Sequence, residues 1–293
     1  MTRPGKGEAG GKEFRRVAEE LRVRMADGAY PLDSYLPAQS ALATEFGVSR
    51  NTVQRVLEEL RSEGWIESRQ GKGSRVIKNQ RIQSWSPRAS RSRQALTLGP
   101  LIGEAFEQPE VTLDVYTLTS ESLDAHIRTQ AERIRAKNIA PQRIALRVLL
   151  PTESMTLPYP RAKDDKDDPR LQARLRHITK RHTESLREVL MALEAENLVP
   201  SVELEIRHTP LTPTFKLYVI NGVEVLHGVY TVIERAVVLD DRDKITALDV
   251  LGYGATLTHH VKDADPTKPG SVFVEGMTTW FESVWTWLTD EGG

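Results

Sequence analysis

The sequence of 293 residues contains no cysteine. This absence excludes disulfide bonds, thiolate metal sites and cysteine nucleophiles. No run approaches the ~20 consecutive apolar residues that span a bilayer, and the N-terminus has no apolar core of the kind found in secretion signals. We therefore expect a cytoplasmic protein without a membrane partner, and its length is sufficient for two domains.

The chain also has almost no net charge, because 40 Lys and Arg stand against 41 Asp and Glu. The balance hides an asymmetry, since residues 1–95 hold 18 basic and 11 acidic side chains and the remainder holds 22 and 30. A basic third joined to an acidic remainder is typical of a DNA-binding module with a separate partner domain. Composition drift between two domains would give the same totals.

Composition and pattern divide the chain into four parts. Residues 1–11 are Gly-rich and polar, which predicts a disordered tail. Residues 12–78 are expected to form a compact helical domain with two short strands, and residues 101–293 an α/β effector and dimerisation domain. Residues 79–100 are expected to be a linker, because 79–95 hold four Arg, four Ser and no acid. This linker is either a solvated tether or lies along DNA.

Apolar spacing predicts three helices in the first domain. The first runs from Lys12 to about Gly28, and the second follows Pro37 and ends at Gly47, with Ala41, Leu42 and Phe46 facing inward. Ser49 is a suitable N-cap for the third. The buried stripe of that third helix consists of Val53, Val56, Leu57 and Leu60. Strand candidates at 65–68 and 74–77, joined by the Gly-rich segment 70–73, complete the pattern of a winged helix-turn-helix.

The start of the third helix has the side chains that a recognition helix presents to DNA. Arg50 suits guanine O6 and N7, and Asn51 suits adenine N6 and N7. The hydroxyls of Ser49 and Thr52, with the free N–H groups of the helix start, suit phosphate oxygens. Lys72, beside Gly71 at the tip of the wing, can reach a phosphate or the minor groove.

Residues 12–78 resemble the DNA-binding domain of the GntR family of bacterial regulators. The residues that carry the resemblance are Leu36-Pro37, Leu42-Ala43, Gly47-Val48-Ser49-Arg50, Thr52-Val53, Leu57, Leu60, Glu63-Gly64, Ile66, Gly71, Gly73 and Val76. The resemblance implies a homodimer that binds a double-stranded DNA operator, and a repressor more often than an activator.

Two positions depart from the family pattern. Members often carry Arg at the positions of Ser40 and Gln54. Arg55 is one residue further on, but about 100° further round the helix. The operator half-site or the number of phosphate contacts is therefore expected to differ. Each contact also has a structural alternative: Ser49 only caps, Thr52 only packs, and Arg55 pairs with Glu58 or Glu59.

The second domain alternates between strands and helices, which predicts an α/β fold with a mixed sheet. Strands are expected at 111–118, 143–150, 202–206, 215–220, 223–233 and 245–251, and helices at 122–137, 170–197 and 272–288. The domain also resembles phospholipase-D-like proteins, whose motif His-x-Lys-x-x-x-x-Asp corresponds here to Thr214, Lys216 and Asn221. The resemblance implies a site without its nucleophile, because Thr cannot replace an imidazole. What remains is either an anion-binding ligand site or an ordinary edge strand with Lys216 in solvent.

No cofactor, metal site or catalytic residue is predicted. His259 and His260 are adjacent, so on a strand they would point to opposite faces, and we expect a solvated loop there. The main hypothesis is a transcription regulator, not an enzyme, whose second domain senses an unknown small-molecule effector. The alternatives are a phosphodiesterase fused to a DNA-binding module, with the missing His supplied from elsewhere, and a plasmid or conjugation control protein that needs no ligand.

Overall fold

The fold is taken from a computed structural model of the chain. It describes residues 13–14, 16–18, 20–22, 24–25, 29–31, 33–62, 65–69, 73–77, 82–84, 98–239, 243–250 and 256–289. The chain divides into two compact units, one of residues 1–80 with 235–246 and one of residues 81–234 with 247–293. No helix within the described ranges is long and apolar enough to cross a membrane.

The first unit is a winged helix-turn-helix. Its described residues between 13 and 25 are helical, and they are followed by α1 (Gln39–Phe46), α2 (Arg50–Ser62), β1 (Ile66–Arg69) and β2 (Gly73–Val76). The two strands pair antiparallel, as the hairpin prediction required. The predicted stripe of α2 is buried as expected. In α1, Leu42 and Phe46 are buried as predicted. Ala41, however, is exposed, and Ala43 is buried in its place.

The second unit contains a seven-stranded mixed sheet. The strands and helices after residue 80 are β3 (Ile82–Ser84), α3 (Leu98–Phe106), β4 (Glu110–Tyr116), α4 (Glu121–Arg135), β5 (Arg143–Pro151), β6 (Arg161–Ala162), α5 (Arg170–Ala195), β7 (Ser201–Thr209), β8 (Phe215–Ile220), β9 (Glu224–Val229), β10 (Val232–Val238), β11 (Lys244–Val250), β12 (Leu257–Val261) and α6 (Pro269–Trp287). Residues 235–246, which include parts of β10 and β11, belong to the first unit. The order in the sheet is β3-β12-β9-β8-β4-β5-β7, and β10, β11 and β6 form a separate three-stranded sheet. Strands β4, β5 and β7 are parallel to one another.

Helices cover both faces of the large sheet. One apolar core joins the sheet to α3, α4 and α5. A second core joins the opposite face to α6 through Val274, Phe281, Val284 and Trp285. The predicted α/β fold with a mixed sheet is therefore confirmed.

A buried polar cluster holds α4 against α5. The Asp124 carboxylate is 1% exposed and lies 2.8 Å from Nδ1 of His182. It also accepts hydrogen bonds from the hydroxyl of Ser185 at 2.6 Å and from Nε of Arg128 at 3.2 Å. The hydrogen-bonding capacity of this buried carboxylate is satisfied by partners on both helices, which favours one alignment of the two.

Three segments differ from the sequence predictions. Strand β3 and the start of α3 lie within the predicted linker 79–100; β3 pairs in parallel with β12, and α3 joins the main core. Residues 257–261, expected as a solvated loop, form β12, where Nε2 of the buried His259 lies 2.7 Å from Oε2 of Glu224. The two strands are too short for periodicity to reveal them, because three to five residues do not establish a pattern.

We predict that His126 makes the protein less stable in mild acid. Burial, with the positive charge of Lys216 nearby, lowers the pKa of this imidazole from 6.5 to about 4. Between these two pH values the unfolded chain binds a proton that the folded chain excludes, so stability present above pH 6.5 is lost as the pH falls towards 4. The loss attributable to this one residue is about 3 kcal/mol.

Urea unfolding of the full chain at several pH values tests this prediction. His126→Gln should flatten the plot of unfolding free energy against pH between 6.5 and 4, whatever it does to stability at pH 7. His177→Gln, at an exposed position on α5, is the matched control and should keep the wild-type slope. An unchanged slope in His126→Gln would contradict the assignment.

Candidate nucleic-acid interface

The first turn of α2 is fixed by the residue that precedes the helix. Gly47 ends α1 in the left-handed conformation, with φ of 64°. The hydroxyl of Ser49 then accepts a hydrogen bond from the backbone N–H of Thr52 at 3.1 Å, which confirms the predicted N-cap. No acidic residue lies in the first turn of α2, so the positive end of the helix dipole is not neutralised there.

Three side chains predicted to contact DNA are exposed near this helix start. Arg50 and Asn51 occupy the first two positions of α2, and Gln54 lies one turn further on. Nε2 of Gln54 donates to Oε1 of Glu58 at 3.1 Å, which holds the amide along the helix surface. Ser40 is also exposed, on α1.

Two other predicted contact residues have partners inside the domain. Thr52 is 9% exposed and its hydroxyl lies 2.9 Å from that of Ser49, so it packs and supports the cap. The guanidinium of Arg55 lies over the ring of Phe14, 4.9 Å from its centroid, in a cation–π contact. The alternative in which Arg55 pairs with Glu58 or Glu59 is not observed among the described residues, because the side chains of these two glutamates contact other residues.

A buried arginine connects α2 to the N-terminal helical segment. Nη2 of Arg22 lies 2.6 Å from Oε1 of Glu59, and Arg22 is 1% exposed. Arg24 lies over the ring of Phe46 and is also bonded to Glu45, which connects the same segment to α1. Sequence reasoning missed both arginines as positioning residues. The only sequence signal for this role was the spacing of the two arginines relative to the apolar residues Val17, Leu21 and Met25.

The wing is held by charged side chains at its base. Arg75 of β2 lies 2.7 Å from Glu67 of β1 and 3.0 Å from Asp33. Gly73 starts β2 with φ of 96°, a conformation that favours glycine. Gly71 and Lys72, the predicted contacts at the tip, lie outside the described residues.

The structure does not bring Thr214, Lys216 and Asn221 together. Thr214 precedes β8 and Asn221 follows it, so ~23 Å of extended chain separates them. Lys216 is 2% exposed on a central strand, so the edge-strand alternative is wrong. Its amine lies 5.6 Å from the ring centroid of Tyr230, while the Oδ1 of Asn221 accepts from the N–H of Thr112 at 2.8 Å. The three residues are therefore no common anion site.

Comparison with known proteins decides the nature of the first domain. The family model for bacterial regulatory proteins of the gntR family matches residues 14–76. These residues form a GntR-family DNA-binding domain. The match covers the capped helix, the turn before it and the wing, which are the parts that the sequence resemblance identified.

Curated relatives are similar to part of this chain. An uncharacterized HTH-type transcriptional regulator of Bacillus subtilis, YdfD, is 32% identical over 124 residues, or 39% of this chain and 25% of the relative. The mannosyl-D-glycerate transport/metabolism system repressor MngR of Escherichia coli is 42% identical over 69 residues, or 24% of this chain and 28% of the relative. The chain thus spans about a quarter to a third of the length of the relatives it matches.

A solved structure is also similar to part of the chain. It is the DNA-binding domain of AraR in complex with operator ORR3, which is 32% identical and covers 22% of this chain and 78% of that one, with a TM-score of 0.22.

We predict that the N-cap sets the order of the recognition helix. Ser49→Ala removes the acceptor for the N–H of Thr52 and should destabilise α2 by about 1 kcal/mol. Hydrogen exchange of the backbone amides of α2 measures the loss directly. Ser40→Ala is the control, because its hydroxyl makes no hydrogen bond within the described part of the chain. Equal protection of α2 in the two variants would show that the cap has no such role.

Proposed function

We propose that the chain is a one-component transcription regulator of the cytoplasm that binds a double-stranded DNA operator as a homodimer. The observation that carries the proposal is the start of α2. A capped helix end without acidic residues presents Arg50, Asn51 and Gln54 to solvent on adjacent turns. This combination suits the major groove, where the helix end meets phosphate and the side chains meet base edges.

The proposed contacts divide into base readout and phosphate positioning. Arg50 pairs with guanine, and Asn51 and Gln54 pair with adenine. Ser49 and the first amides of α2 bind a phosphate, and Thr52 acts through its hydrogen bond to Ser49.

The remaining predicted residues serve the backbone of the duplex. Ser40 and Arg55 contact phosphates beside the groove. Arg55 does so while its guanidinium stays in contact with Phe14. Gly71 and Lys72 place the wing against a phosphate or in the minor groove. These contacts fix the register of the domain on the duplex and carry no sequence information directly.

We further propose that the second unit senses a small molecule and that operator binding represses transcription. A ligand that binds one arrangement of the dimer more tightly shifts the population towards it. Two recognition helices fit successive major grooves only at a spacing of about one helical turn of DNA, so such a shift changes operator affinity. The relative MngR is named a repressor, which supports this direction of regulation.

We predict that Arg50→Ala weakens sequence preference. The selected duplex, enriched by the wild-type protein from a random pool, should bind about 10- to 100-fold more weakly, since a bidentate base contact contributes about 1–3 kcal/mol. Fluorescence anisotropy with selected and random duplexes measures both affinities. Binding to random DNA should fall much less.

Arg61→Ala is the matched control for this experiment. It removes the same charge from an exposed position in the last turn of the same helix, ~16 Å from Arg50. Its affinity for the selected duplex should stay within about twofold of wild type. Equal losses in the two variants would mean that charge alone matters, and the proposed docking would be wrong.

We predict that Lys72→Ala weakens binding to all sequences. Loss of one phosphate contact should lower the slope of log affinity against log salt concentration by about 0.9. Titrations of the selected and the random duplex over a range of KCl concentrations give this slope. Lys180→Ala, at an exposed position on α5, should leave it unchanged. If Lys72→Ala keeps the wild-type slope, the wing tip does not contact DNA as proposed.

A further inference from the structure

A small cavity lies beside the carboxyl ends of two parallel strands of the second unit. Its volume is about 30 Å³, and it opens to solvent between α5 and the segment that follows β5. Leu118 follows the end of β4, and Thr152 follows the end of β5, and both line it. The carboxyl edge of parallel strands is where open α/β sheets bind ligands.

The inner wall of the cavity is apolar. Leu118, Met155, Leu157 and Leu175 line it, and all four belong to one hydrophobic cluster. The wall is also fixed, because the side chain of Gln172 donates to the backbone oxygens of Leu157 at 3.0 Å and Pro160 at 2.7 Å. A water needs about 10–15 Å³, so the void accepts a short branched alkyl group but not a ring system.

One polar atom in the wall behind the cavity lacks a partner. The hydroxyl oxygen of Thr152 is buried and makes no hydrogen bond within the described part of the chain. The backbone N–H of Thr152 is occupied, since it donates to the carbonyl of Thr209 at 3.0 Å. Buried hydroxyls in proteins are nearly always satisfied, so a water or a ligand atom is expected here.

The mouth of the cavity carries two opposite charges. Glu153 belongs to the segment after β5, and Arg176 to the first half of α5; both are exposed and both line the cavity. Neither forms an ion pair within the ranges that the structure describes. An anionic group suits Arg176, an ammonium group suits Glu153, and a molecule with both suits the pair.

We propose that this cavity binds a small α-amino acid with a short branched apolar side chain. The side chain enters between the leucines and Met155, the carboxylate meets Arg176, and the ammonium group meets Glu153. The inference rests on the proposed function in one respect, because it makes this amino acid the effector of the regulator.

Isothermal titration calorimetry of the full chain with L-valine tests the site. L-Valine should bind, whereas 3-methylbutanoate, which lacks the ammonium group, and 2-methylpropan-1-amine, which lacks the carboxylate, should bind at least tenfold more weakly. Arg176→Gln and Glu153→Gln should each weaken L-valine binding at least tenfold.

Arg187→Gln is the matched control, because it removes an exposed arginine elsewhere on α5 and should bind L-valine like wild type. The site is overturned if wild type shows no binding at millimolar L-valine, if 3-methylbutanoate binds equally well, or if Arg176→Gln and Glu153→Gln bind like wild type.

The operator affinity of the wild type, measured with and without saturating L-valine, separates the two proposals. A change that Arg176→Gln abolishes supports the effector role, while unchanged operator affinity despite L-valine binding overturns that role and leaves the site intact. Absence of L-valine binding together with tight, Arg50-dependent operator binding rejects only the site. Failure to select any duplex rejects the regulator proposal, whatever the calorimetry shows.

Discussion

The geometry of the proposed DNA-binding face depends on how α2 begins. The cap from Ser49 fixes the first turn, and the ion pair between Arg22 and Glu59 fixes the rotation of the third turn. With both in place the apolar stripe is buried, and Arg50 and Asn51 have no direction left except towards solvent. Because the Arg22 guanidinium is buried, its ion pair with Glu59 favours one orientation of the helix.

The second unit is governed by a different constraint, the parallel pairing of β4, β5 and β7. Parallel strands of this kind need helices on both sides, which places every connecting segment at the sheet edges. Residues after β4 and β5 therefore meet at one edge, where Leu118 and Thr152 line the same cavity. A sensing site there would follow from topology and not from any local motif.

Local patterns in the sequence predicted the elements that have a clear period. The stripe of α2, the hairpin register and the strands β5 and β8 are of this kind, and their bounds agree within a few residues. Tertiary contacts were harder to predict. Nothing in the spacing of Arg55 indicates that Phe14, 41 residues away, takes its guanidinium. A motif comparison also placed Lys216 and Asn221 in one site, although the strand between them carries them to opposite ends.

The departures from the family pattern at Ser40 and Gln54 now have a structural meaning. Arg55 is engaged with Phe14, so it is a poor substitute for an arginine at position 54. Gln54 instead lies along the helix with Glu58, whose negative charge weakens attraction to phosphate on that face. Discrimination between operators must then depend more heavily on Arg50 and Asn51, the two exposed side chains nearest the positive end of α2. A domain with fewer phosphate contacts also binds random DNA less tightly, which raises the share of affinity that comes from base readout.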